Sequence, residues 1–160
     1  MSCADRGRTA LGEAEAAAFG GTDLETNRAV ADLARQAAVV TSSPWWRAAG
    51  GPPVTLSAAR ASAHSSRARL GDRAVDVRLA LGQRDIATVA HELAHALAGV
   101  GHGHDERFRA ALVDVVTVVA GAPAAKALTD ALGAFGLGVA VRTWPAPTRA
   151  EGEGFVVLGG

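Results

Sequence analysis

Between Thr22 and Leu97 the apolar positions change period twice. Leu24, Val30, Leu33, Ala37 and Val40 recur at helical spacing, with Thr22 or Asp23 placed to cap the N-terminus. Ser42-Ser43-Pro44 should stop that helix, because a proline disfavours helix in the residue before it. Trp45-Trp46 follow directly, and paired tryptophans at such a place are expected to close one end of a core. Gly50-Gly51-Pro52-Pro53 breaks the chain. After it Val54, Leu56 and Ala58 alternate with small or polar residues, the signal of a short strand. Residues 60–67 read as a polar link. Residues 69–80 read as a second strand, with Val75, Val77 and Leu79 on one face and Asp76 and Arg78 on the other. Past Gly82 the helical period returns in Ile86, Val89, Ala90, Leu93 and Leu97.

A further helix should open at Asp105-Glu106, with Phe108, Leu112, Val115, Val116 and Val119 as its apolar face. Another spans 122–135, and 136–144 should add a strand. The elements make an α+β domain over 22–144. Residues 1–21 are rich in Ala, Gly and charge, with a weak helical stretch from Leu11 to Phe19, and are expected to be loosely held. Residues 145–160 are expected to be an irregular tail apart from Phe155-Val156-Val157-Leu158.

Composition narrows this picture without redirecting it. The chain has 160 residues, room for one domain with a real core. Aromatic residues are 4% and tyrosine is absent, so Ala, Val and Leu must build that core. Basic and acidic residues balance at 16 each, so no overall field draws the chain to nucleic acid or to a membrane surface. Cys3 is the single cysteine, which excludes an internal disulfide and a cysteine-based zinc ribbon. The first ten residues carry Asp5, Arg6 and Arg8 and no apolar run, so no signal peptide is expected. The greasiest stretch, 108–141, is interrupted by Arg109, Asp114, Lys126 and Asp130, so no membrane span is expected and the protein is read as cytoplasmic.

The chemistry sits on the helix that starts at Ile86. With ~100° per residue, its apolar stripe covers an arc of roughly 100°. His91 and His95 lie ~40° apart near the opposite side, with Glu92 about 60° beyond His95. One face of the helix is therefore expected to pack on the sheet while the other presents two imidazoles and a carboxylate. Asp85 and Gly99 frame it as N-cap and C-cap. Two histidines one turn apart chelate a metal without strain, and a catalytic zinc site takes three protein ligands and leaves a position for water. The glutamate of such an HExxH run is placed to take that water's proton and pass it to a leaving amine.

A third ligand is close at hand. The segment 99–106 is punctuated by glycines and carries His102 and His104, so a helix–turn–helix hairpin can bring either one back beside His91 and His95. The longer HExxHxxGxxH spacing does not fit, because position 98 is Ala and position 101 is Gly. The chain instead resembles the SprT-like minimal zincins, and especially the small actinobacterial metallohydrolases related to them. Their second motif reads G-H-G-x-x-F/W at the start of the next helix. Gly103-His104, with Phe108 four residues on, keeps that register, although Asp105 stands where the second glycine is usual. The resemblance covers roughly residues 22–120, with an amphipathic helix, a Pro-Trp pair, two strands and HExxH in the same order. It implies a minimal zincin-like fold, with a small sheet packed on the HExxH helix. It also implies His91, His95 and His104 as zinc ligands and His102 as a nearby polar group.

The function expected is a zinc-dependent metallohydrolase, a metallopeptidase in which Glu92 activates zinc-bound water against a peptide or protein substrate. A non-catalytic zinc module, its site closed by His102 as fourth ligand, is the reading from another class. A metal-dependent amide hydrolase shares the ligands and differs only in pocket shape. With no tyrosine to stabilise an oxyanion, His102, His64, an arginine or a backbone N–H must serve. Glu106 and Asp114 are carboxylates that a different ligand set would use. Arg60, Arg67, Arg69, Arg73, Arg78 and Arg84 gather around the strands as a solvated face or a basic rim suited to acidic substrates or nucleic acid.

Overall fold

The computed structural model describes residues 3–147, and the apolar run Phe155 to Leu158 lies outside the described residues. Along them run α1 (Cys3–Phe19), α2 (Val30–Thr41), α3 (Pro44–Ala48), β1 (Val54–Ala58), β2 (Arg67–Leu70), β3 (Val75–Leu79), α4 (Ile86–Ala98), α5 (Glu106–Ala120) and α6 (Ala122–Ala134). The class is α+β, six helices around a small mixed sheet of order β1-β3-β2.

The N-terminus is more ordered than its composition suggests. The segment expected to be loosely held is a helix from Cys3 to Phe19 that packs against α6, with Leu11, Ala14 and Phe19 buried. Its apolar stripe is narrow and largely alanine, which gives little contrast in sequence, and it becomes stable only once α6 supplies a face to cover it.

The helix expected from Thr22 is divided. A short 3-10 turn at Asp23–Glu25 is capped by the Thr22 hydroxyl, which accepts the Leu24 N–H at 3.3 Å, and α2 begins only at Val30. Between them the Arg28 backbone N–H donates to the Arg84 carbonyl at 2.8 Å, a tertiary tie that pulls the chain out of helix. The stop at Ser42-Ser43-Pro44 is where expected. There the Ser43 hydroxyl accepts the Trp46 N–H at 3.1 Å and opens α3. Trp45 and Trp46 are both buried, and their indole N–H groups donate to the Pro145 and Pro52 carbonyls at 2.9 and 2.8 Å.

β1 lies parallel to β3 (Val54↔Val75 to Ala58↔Leu79), and β2 lies antiparallel to it (Arg67↔Arg78 to Leu70↔Val75). The single strand expected at 69–80 is thus two strands of a hairpin. Its turn is closed by the Gly71 N–H on the Ala74 carbonyl at 2.9 Å. The alternation inside β3 is as expected, with Val75, Val77 and Leu79 buried and Arg78 exposed. β2 is an edge strand.

Asp85 and Asp105 cap α4 and α5, their carboxylates accepting the Thr88 and Phe108 N–H groups at 2.8 and 2.9 Å. α4 makes its broadest contact with α5 and smaller ones with β2 and β3, so its apolar stripe does not simply face the sheet. Ala90, Ala94, Ala96 and Ala98 are all buried, and such short side chains let neighbours close in on several sides of one helix.

The strand expected at 136–144 is absent. This stretch runs across α5 as a strap, and helix groups take the hydrogen bonds a sheet would have taken. The Ala140 N–H donates to the Glu106 carbonyl at 3.1 Å, and Arg109 Nε donates to the Gly138 carbonyl at 2.6 Å. Arg142 and the Trp144 indole N–H converge on the buried Asp114 carboxylate at 2.7–2.8 Å. Among the described residues no helix is long and apolar enough to cross a membrane.

Candidate metal centre

α4 carries His91 and His95 one turn apart, both half-buried, on the side away from its apolar stripe. The chain then leaves α4 through Gly99, at φ +103°, and turns again at Gly103, at φ +60°. Side chains other than glycine seldom adopt that region. The second turn drops His104 back against the first pair. Arg107 Nε donates to the carbonyl of Ala98 at 2.9 Å, and the buried Arg109 donates to the carbonyl of His104 at 2.8 Å, so both ends of the turn are pinned from α5.

The result is a cluster of His91, His95 and His104 whose ligand nitrogens all lie within 4.8 Å of one another. His91 Nε2 and His104 Nε2 are 3.0 Å apart. Ligands of one tetrahedral ion at ~2.0–2.1 Å stand about 3.3 Å apart, so the three imidazoles lie close enough together to bind a metal ion. His102 does not join it. Its ring is exposed and its Nδ1 meets the Asp105 carboxylate at 2.9 Å. Of the two histidines of the turn, His104 is the one that joins the cluster.

Phe108 shows why an aromatic follows four residues after His104. Its fully buried ring is a shared floor, with its centroid 4.9 Å from that of His91, 4.3 Å from His95 and 5.0 Å from His104. Two of the imidazoles are held uncharged. Burial and the charge of His91 push His95 down to about 3, and the same two causes push His104 down to about 4. Neutral imidazoles keep the lone pairs that a metal needs. His91 behaves differently. Burial works against its charged form, but the hydrogen bond and charge of Glu15, joined by the charge of Glu92, raise its pKa above the ordinary value.

Glu15 was not legible as part of the site. It comes from α1, and its Oε1 sits 2.9 Å from His91 Nδ1. The clue in the sequence was its place one turn after Leu11 and one turn before Phe19, beside a stripe that the structure buries.

Glu92 is buried, and burial raises its carboxyl pKa against the opposing pull of the His91 charge and the Ala68 backbone N–H on β2. Its Oε2 is buried and has no hydrogen-bond partner. A cleft of about 430 Å³ opens over the cluster, walled by Glu15 on α1, Ala68 on β2, and Glu92 on α4.

The other candidates fall elsewhere. His64 is exposed and lines a separate cavity with Arg60, Arg67 and Arg78, of which Arg67 also reaches the main cleft. Arg78 is drawn to Asp76 at 2.8 Å. Glu106 lies exposed in the first turn of α5, and Asp114 is committed to Arg142 and Trp144, so neither stands with the imidazoles. No family model, curated protein or solved structure matches the chain, so the chemistry of the site is read from its own geometry.

Proposed function

We propose that the protein is a zinc-dependent hydrolase of peptide bonds, with His91, His95 and His104 as ligands and Glu92 as the base. The observation that carries this reading is the buried, unpaired Oε2 of Glu92 beside three convergent imidazoles. Leaving such an oxygen without a partner costs about 1–3 kcal/mol or more, a cost that a purely structural metal site has no use for. An all-imidazole set with a glutamate between its first two members suits zinc. Zinc, when bound, supplies a Lewis acid that polarises a carbonyl and eases deprotonation of water.

The chain's own groups do the rest. Glu92 accepts a proton at Oε2 from the attacking water, whose oxygen bonds to the carbonyl carbon. Glu92 Oε2 then gives that proton to the nitrogen as the C–N bond breaks, leaving a carboxyl group and a free amine. β2 is an edge strand whose Arg67 and Ala68 border the cleft, which gives an extended peptide a backbone to lie along near the imidazoles. The order of elements and the His104–Phe108 register, which resemble the SprT-like minimal zincins, point the same way. The closed, non-catalytic alternative needs His102, which Asp105 holds outside the cluster.

The test compares the wild type with Glu92→Gln for zinc content and for cleavage of a mixed peptide library. One zinc per chain in both proteins, with cleavage lost only in the variant, is expected. Equal cleavage would remove Glu92 from the chemistry, and a wild type that takes up no zinc would end the reading.

A further inference from the structure

We propose that Glu15 is a positioning residue for His91, which makes the N-terminal helix α1 a working part of the metal centre. The inference rests on the three-histidine metal site proposed above and adds a residue from the far end of the chain. Glu15 Oε1 meets His91 Nδ1 at 2.9 Å across 76 residues of sequence, with both side chains largely shielded from solvent. The other ring nitrogen, Nε2, points into the cluster, 3.0 Å from His104 Nε2. A carboxylate on Nδ1 holds the proton there, so that Nε2 presents its lone pair to the ion and the ring cannot turn away. The negative charge also makes the imidazole a stronger donor to the metal.

The carboxylate is delivered rigidly. Leu11 and Phe19, one helical turn before and after Glu15, are both 1% exposed, and Ala14 is fully buried. α1 packs against α6, and Leu11 and Phe19 line the cleft on either side of Glu15, so its carboxylate enters from a fixed rail. Among the described residues no carboxylate hydrogen-bonds His95 or His104, so His91 is where the surroundings tune this ligand set. Arg8, two turns earlier on the same helix, also lines the cleft, and its charge opposes that of Glu15 at His91. α1 therefore brings both signs of charge to the centre.

The experiment uses the full chain with Glu15→Ala, Glu15→Gln and, as a control on the exposed side of α1, Glu13→Gln. Zinc affinity is measured by competition with a chromophoric chelator, and the His91 tautomer by nitrogen-15 NMR of the metal-free proteins at a pH high enough to leave the ring uncharged. Glu15→Ala should weaken zinc binding about 10- to 100-fold and turn His91 from an Nδ1–H tautomer into a mixture. Glu15→Gln keeps a neutral acceptor of nearly the same shape, so it should fold like the wild type and lose less than about tenfold. Glu13→Gln should change neither quantity. Wild-type zinc affinity and an unchanged His91 tautomer in both Glu15 variants would overturn the proposal while leaving the metal site standing. A wild type without zinc would instead strike at the metal site, and the tautomer would still report whether Glu15 orients His91.

Discussion

Replacing Phe108 separates the stability of the fold from the readiness of the site. The ring is fully buried and its centroid lies 4.3–5.0 Å from those of all three clustered imidazoles. Truncation to alanine should cost about 3–5 kcal/mol, a large part of the roughly 5–15 kcal/mol that holds a domain together. Phe108→Leu, which refills most of the space, should cost about 1–2 kcal/mol and leave a folded protein. The flat floor is gone in either variant. If each imidazole regains about 0.5–1 kcal/mol of rotamer freedom that the ion must then remove, the three together weaken binding by about 1.5–3 kcal/mol. At 1.4 kcal/mol per decade, that is roughly one to two orders of magnitude in the zinc dissociation constant. Urea unfolding of the metal-free protein measures the first effect, and chelator competition measures the second. A Phe108→Leu variant that loses the expected stability yet binds zinc as the wild type does would refute the idea that the ring orders the ligands.

Two further outcomes can be checked without a substrate. Gly103→Ala places a side chain at φ +60° with no neighbour within 4 Å, so backbone strain alone should cost about 1–3 kcal/mol and displace His104. Its melting temperature and zinc affinity should both fall, whereas Gly101→Ala, in open space without that φ, should match the wild type. Asp114→Asn removes a charge that accepts from Arg142 and from the Trp144 indole. Because Arg142 is 43% exposed and keeps its hydration, the loss should be about 2–3 kcal/mol and not the larger figure of a fully buried pair. Amide hydrogen exchange across 137–144 should accelerate, and unchanged exchange there would show that Asp114 does not fasten the strap.

The centre of the molecule was legible because several local signals agree on it. In α4 a strong stripe, an aspartate cap and a terminal glycine coincide, and the two histidines fall clear of the stripe. His104 was reachable through the glycines around it and the register to Phe108. The periphery was less readable for a common reason, which is that its elements depend on distant partners. α1 is stable on account of α6, the strap at 137–144 is held by arginines of α5 and by Asp114, and the tie from Arg28 to Arg84 ends the helical run before α2. Glu15 was hidden for the same reason, since its role requires knowing where a weakly patterned helix docks. The division of 69–80 into a hairpin needed only Gly71-Asp72-Arg73 to be weighed as a turn.

The three imidazoles and the carboxylate that supports them come together on different scales of chain length. His91 and His104 are 13 residues apart, and the loop-closure cost of joining them is on the order of 2 kcal/mol. Glu15 and His91 are 76 apart, which adds about 1.5 kcal/mol. The histidine cluster is therefore a local product of one helical hairpin, and its short loop favours formation early in collapse, whereas docking of α1 is long-range and is expected to follow. Metal captured by the hairpin would bias the chain toward its native α4–α5 arrangement before the N-terminal helix arrives. On the proposed reading, folding order and assembly of the metal centre would then be a single sequence of events.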